Sequence, residues 1–176
     1  MHEPSAHAPQ KRSLFQVLLG SRDSIAGTVY GTVIVMATIA AGAKGGLLGA
    51  RELLGAMIGT VLVLWIAHVY AHGLEESIQA GRRLQWHEFV RVAHREWSIA
   101  LAAVPPGIFL LLGILGVFKE STAIWLALIA GLVVLAAQGV RYAMLERLTP
   151  LASIFSVGLN VALGLAIVVL KAVISH

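Results

Sequence analysis

The chain has 176 residues, 58% of them hydrophobic and only 12% charged, with a mean hydropathy of +0.84. Soluble domains carry roughly a quarter charged residues, so the soluble globular class is excluded, and the absence of cysteine excludes a disulfide framework, a thiol nucleophile and a thiolate metal site. A net charge of +4 and a pI near 9.9 would suggest nucleic acid in a soluble protein. Here the basic residues sit in short segments between apolar runs, which is the distribution of membrane topology signals and gives no nucleic-acid surface.

Residues 1–12 hold Pro4, Pro9, His2 and His7, show no apolar periodicity and end in Lys11 and Arg12. They are expected to form a disordered basic tail, with 13–176 as one transmembrane domain. The apolar stretch 14–19 is too short to span and suits the headgroup region. No small-residue cleavage site follows it, so a signal peptide is not expected.

Five uncharged runs follow, at 24–43, 53–73, 97–118, 121–140 and 151–170, each near the roughly 20 residues that a helix needs to cross the hydrocarbon. Unpaired backbone groups are not tolerated in lipid, and the runs are too long and continuous for barrel strands. The expected fold is therefore all-α, a polytopic transmembrane bundle of five spans. On one side Lys and Arg number nine (Lys11, Arg12, Arg22, Arg82, Arg83, Arg91, Arg95, Arg141 and Arg147), against Lys44, Arg51, Lys119 and Lys171 on the other. The positive-inside rule then gives N-in, C-out in a bacterial inner membrane. Lys119-Glu120 alone separates spans three and four, which implies a tight hairpin. Between spans two and three, Trp86, Phe89, Val90, Ala93 and Trp97 recur at helical spacing opposite Arg83, Arg91 and Arg95, the pattern of an interfacial cytoplasmic helix.

Span one contains Gly27-x-x-x-Gly31 and span two Gly55-x-x-x-Gly59. Small residues four apart let another helix approach closely, either inside the bundle or between copies, and a homo-oligomer is expected. Pro105-Pro106, about 12 Å into span three, leave the carbonyls of Leu101 and Ala102 without N–H donors and predict a kink there. Asn160, the sole asparagine, lies at similar depth in span five and should hydrogen-bond across helices.

The polar chemistry is concentrated in 65–97, which holds four of the seven histidines and four of the nine acidic residues. His68 and His72 stand one turn apart on span two, with Glu75 and Glu76 one turn further, so both imidazoles and one carboxylate share a helix face. This set admits three readings: a divalent cation on His68, His72 and Glu76, a proton or small-cation pathway that also uses Asp23, Glu75 and Asn160, or a hydrogen-bonded structural cluster. The lipid bilayer is the expected partner, and a divalent cation is the one cofactor these residues admit. His68 stands out because it lies inside the hydrocarbon boundary, where ionisable groups usually face the bundle interior.

Glu75-Glu76 resembles the Glu-Glu-x-x-x-Arg box of intramembrane prenyl-protein-type proteases, but Ala80 stands where that box requires Arg. Trp65-x-x-His68 is similar to bacterial relatives of the lysosomal potassium channel, without that family's Phe-Ser-Asp signature, since Ala26-Gly27-Thr28 precedes Tyr30 instead. The Arg22-Asp23 opening of span one and the Trp-x-x-His-x-Tyr of span two resemble uncharacterised small polytopic membrane proteins of high-GC bacteria, a resemblance that implies no function. A channel or transporter component for a proton or small cation is the expected function. A non-catalytic scaffold or sensor is the alternative. A membrane-embedded metal-dependent enzyme ranks third, because the sequence offers no nucleophile-base pair.

Overall fold

The structure is a computed structural model that describes residues 23–43, 48–83 and 85–174. The tail, the basic lead, His2, His7 and Lys44 lie outside them. Among the described residues the regular structure is helical: α1 (Asp23–Gly42), α2 (Ala50–Ala80), α3 (Trp86–Arg95), α4 (Trp97–Leu101), α5 (Val104–Ile114), α6 (Glu120–Leu145) and α7 (Pro150–Ile174). Four of these, α1, α2, α6 and α7, are long and apolar enough to cross a membrane. The segments Trp86–Leu101 and Val104–Ile114 supply a fifth crossing if they are taken as one span, bent by 50°.

That bend is the kink expected at Pro105-Pro106, and it goes as far as a break between two helices within the span expected over 97–118. Pro105 and Pro106 have no N–H to donate to the carbonyls of Leu101 and Ala102, so the α4 ladder stops at Leu101 and a new helix begins at Val104. The two prolines thus sit in the first turn of α5, where a missing donor costs a helix little. Beyond Ile114 the chain turns through Gly116 at φ 75, and the Gly116 and Val117 amides return to the carbonyls of Gly113 and Leu112. The hairpin between α5 and α6 through Lys119 is present, and the two helices pack side by side.

Span two also differs in length. Instead of ending near Gly73, α2 runs unbroken to Ala80, 31 residues in all. At 1.5 Å per residue that is about 46 Å, against about 30 Å of hydrocarbon. Gly73 does not end the helix because it is buried against the bundle, whereas Gly81 does so by adopting φ 61. Glu75 and Glu76 are therefore helical residues with fixed directions.

Helix α1 lies centrally, against α2, α4, α6 and α7. Its Val35, Met36 and Ile39 meet Leu53, Met57 and Val61 of α2, Leu110 of α5 and Leu128 and Leu135 of α6 in a fully apolar core. Met36 fills the notch at Gly131, where an added Cβ would stand 2.6 Å from it. The hydroxyls of Thr28, Thr32 and Thr38 donate to the carbonyls of Ser24, Thr28 and Ile34 at 2.7–2.9 Å, so no hydroxyl of the three faces lipid unpaired. The outward faces carry Val63, Ile66, Leu151 and Phe155, all largely exposed. Such an apolar perimeter around an apolar core is that of an integral membrane protein.

Candidate functional site

The α2 helix places His68 and His72 on its bundle-facing side, where they line a cleft of about 530 Å³ together with Ala26, Gly27 and Tyr30 of α1 and Arg95, Glu96 and Ile99 from the α3–α4 junction. Helix α4 can approach α1 closely because α1 has glycine there. A Cβ at Gly27 would stand 2.3 Å from Ser98 Oγ, and one at Gly31 would stand 2.7 Å from the Ile99 carbonyl oxygen. The Gly27–Gly31 groove is therefore filled from within the chain. No atom lies within 4 Å of the corresponding positions on Gly55 and Gly59, which face outward. Ser98 Oγ is buried beside Gly27 with no hydrogen-bond partner among the described residues.

The histidines form a short stack. The Tyr30 and His68 ring centroids are 5.2 Å apart, and those of His68 and His72 are 6.1 Å apart. His68 Nδ1 lies 3.1 Å from the Leu64 carbonyl oxygen and His72 Nδ1 lies 3.1 Å from that of His68. His72 Nδ1 is also 3.5 Å from Glu96 Oε1. The Glu96 side chain is 13% exposed and that of His72 39%, so the carboxylate stands on the inner side of the pair.

The acidic residues are shared out differently from the sequence expectation. Glu76 turns toward the basic residues of α3, with Oε1 3.0 Å from Arg95 Nη1 and Oε2 3.8 Å from Arg91 Nη2. Glu75 accepts from Gln79 Nε2 at 3.1 Å, outside the cleft. Arg95 Nε donates to Glu96 Oε1 at 3.2 Å. The predicted His68–His72–Glu76 metal set is thus not assembled, and no group of three or more His, Asp or Glu side chains converges among the described residues. Asn160 donates to the Ser156 carbonyl of its own helix at 3.1 Å instead of reaching across helices. It packs where α7 crosses Gly139 of α6, away from the cleft. Asp23 opens α1, but its side chain lies outside the described part.

Sequence reasoning passed over Tyr30 and Arg95 as site members, and placed Glu96 at the same membrane face without joining it to His72. The signal for Glu96 was present, since it directly precedes an apolar run at the same bundle end as His72. What the linear pattern could not show was that α4 folds back against Gly27 and Gly31 and carries Glu96 with it. On the far side of this end, Arg141 Nη1 reaches Ser24 Oγ at 3.5 Å and Gln138 Oε1 at 3.4 Å, tying α6 to α1.

Two contacts hold the cleft wall. The Trp65 indole N–H donates to the Ala93 carbonyl at 3.1 Å, and its ring meets Trp97 edge-on at 5.1 Å. At the corner between α2 and α3, Arg82 grips Glu88 with both terminal guanidinium nitrogens, Nη2 to Oε1 at 2.8 Å and Nη1 to Oε2 at 2.9 Å. Glu88 Oε2 also accepts the Gln85 amide at 2.8 Å, which caps α3. These donors, Arg82 first, pull the Glu88 carboxyl down to about 2, and the Glu88 carboxylate in turn pushes the Arg82 guanidinium up.

Compared with known protein families, curated proteins and solved structures, the chain matches none.

Proposed function

We propose that this protein is a small multi-pass membrane protein that takes a proton or a small cation into the His68–His72 cleft, as a channel or transporter component. The observation that carries this reading is the placement of His72 Nδ1 at 3.5 Å from Glu96 Oε1, with His68 one turn along the same helix in the same cleft. Imidazole is the side chain whose charge changes most readily near neutral pH. Ionisable groups on spanning helices commonly mark ion pathways. His68 lies twelve residues before the end of α2, about 18 Å along the axis, so the cleft reaches below the bundle rim. In this reading the nine-to-four division of Lys and Arg sets the cleft at the cytoplasmic face of the inner membrane.

A second reading is favoured by the packing of Val35, Met36, Ile39, Leu53 and Met57, which separates the cleft from the opposite end of the bundle with apolar side chains. A protein so built could bind a proton or cation from one side as a sensor or scaffold without passing it. Reconstituted vesicles decide between them. Transport requires pH-dependent proton or cation flux above that of empty liposomes, and His68→Gln, which keeps size and hydrogen bonding but not titration, should flatten that dependence. Wild-type vesicles without flux, or a variant equal to wild type at every pH, would remove the transport reading and leave the sensor.

A further inference from the structure

We propose that the cleft takes a proton and excludes larger cations, with His72 as the accepting group, Glu96 as its positioning residue and Arg95 as the residue that bars metal and alkali ions; this rests on reading the cleft as a cation site. A carbonyl oxygen can only accept, so the contacts from His68 Nδ1 to Leu64 and from His72 Nδ1 to His68, both 3.1 Å, put the hydrogen of each neutral ring on Nδ1. The lone pair is then left on Nε2. Neither Nε2 has a hydrogen-bond partner among the described residues. The two rings hang from successive turns of α2 by the same bond, with centroids 6.1 Å apart, so nothing brings both Nε2 atoms to one ion. A proton needs only one lone pair.

The surrounding charges separate a proton from other cations. Arg95 and Glu96 from the α3–α4 junction and Tyr30 from α1 line the cleft with the imidazoles. On α2 itself Glu76 turns to Arg95 and Arg91, and Glu75 to Gln79, while Arg141 of α6 is engaged at Ser24 of α1. Glu96 Oε1 accepts from Arg95 Nε at 3.2 Å and lies 3.5 Å from His72 Nδ1. The carboxylates near the cleft are thus held by guanidinium groups, and among the described residues no three His, Asp or Glu side chains converge to replace the hydration of an ion. A metal or alkali ion in the cleft would meet the fixed charge of Arg95 without ligands to offset it. Protonated His72 differs, because its charge is spread over a ring whose Nδ1 already stands beside Glu96. A proton delivered by water binds Nε2 and makes the ring an imidazolium, with Nδ1–H kept in place. Release returns the Nε2 proton to water or, through water, to Nε2 of His68 on the preceding turn.

The test uses the full chain in phosphatidylcholine–phosphatidylglycerol liposomes, with thiocyanate as the permeant counter-ion and a dye inside for protons, potassium or zinc. Proton entry should exceed that of empty liposomes and be the same with potassium or N-methylglucamine outside, while potassium and zinc should not enter. H72Q should abolish proton entry. E96Q, which keeps both imidazoles, should slow it roughly tenfold, as loss of a unit charge 3.5 Å away implies even in water, and should change its pH profile. R95Q should admit potassium or zinc, whereas R95K, which keeps the charge, should exclude them; circular dichroism checks that each variant is folded. Potassium or zinc entry through the wild type at the rate of protons would overturn the proton selectivity while sparing the cation reading. Exclusion retained in R95Q, or lost equally in R95K, would overturn the part given to Arg95. Wild-type liposomes without flux of any of the three would remove transport, and nitrogen-15 NMR of the histidine-labelled chain in nanodiscs then decides the proton site by itself. The site requires Nδ1–H on the neutral rings of His68 and His72 and a second proton on His72 Nε2 upon acidification. Neutral rings carrying Nε2–H would overturn it.

Discussion

The Trp65 indole N–H donates to the carbonyl oxygen of Ala93, 28 residues later, at 3.1 Å. The bond spans the corner between α2 and α3 and holds the wall that carries Arg95 and Glu96 against the histidines. Replacing Trp65 with Phe would keep an aromatic ring beside Trp97 but remove the donor. The expected result is a loss of about 1 kcal/mol of stability and faster amide exchange in α3 than in α6, read by hydrogen–deuterium exchange mass spectrometry. Uniform change across all helices would contradict a local role.

The two glycine motifs should respond oppositely to the same substitution. At Gly31 a Cβ would meet the Ile99 carbonyl oxygen at 2.7 Å and the Ala102 Cβ at 2.9 Å, whereas at Gly59 it would meet nothing within 4 Å. Gly31→Ala should therefore destabilise the fold by about 1–3 kcal/mol through overpacking. Gly59→Ala should be neutral or stabilise by up to about 1 kcal/mol, because glycine weakens a helix interior. Thermal unfolding in one detergent compares them directly, and an equal loss in both would show that the Gly55–Gly59 face is also occupied.

The Arg82–Glu88 pair makes a prediction about pH. The Glu88 carboxyl is held at about 2 in the fold, below the ordinary value near 4.3 that it recovers when unfolded. A lowered carboxyl pKa contributes stability that is fully present above the unfolded value and disappears as pH falls through the folded one. Acidification from pH 7 to 5 should leave this corner intact, with the loss confined to roughly pH 4.3 down to 2. The carboxyl carbon shift of Glu88 in a carbon-13 NMR titration should have its midpoint near 2. In Arg82→Gln it should move toward the ordinary range, and an unmoved midpoint would show that Arg82 is not the cause.

At the opposite end of the bundle the Glu120 side chain accepts the Ala50 amide, which caps the first turn of α2 from the start of α6. A Cβ at Gly49 would collide with that carboxylate at 2.5 Å, so glycine is what permits the approach. Glu120→Ala should cost about 0.5–2 kcal/mol, as loss of a helix cap does, and Glu120→Gln should recover part of it. Neither should alter the pH dependence of flux in reconstituted vesicles that is assigned to the His68–His72 cleft. An effect there would mean that the two ends are coupled through the core.

The sequence by itself determined the helical class, the apolar spans, the α5–α6 hairpin and the gathering of polar residues at one bundle end, because lipid forces every backbone group into a helix and charge out of the hydrocarbon. His68 and His72 were legible for the same reason, since their relation is set by one helix period. The rest is decided by relations between distant segments. Pro105 and Pro106 announced a disturbance, but only packing turned it into a 50° break that lets α4 lie on Gly27 and Gly31. Glu96 reaches His72 for that reason, while the continuous α2 sends Glu76 to Arg95 and Glu75 to Gln79. Asn160 found its partner one turn back, at Ser156. Periodicity fixes which residues share a face; which face meets which neighbour depends on side-chain volumes that interlock only once the helices are together.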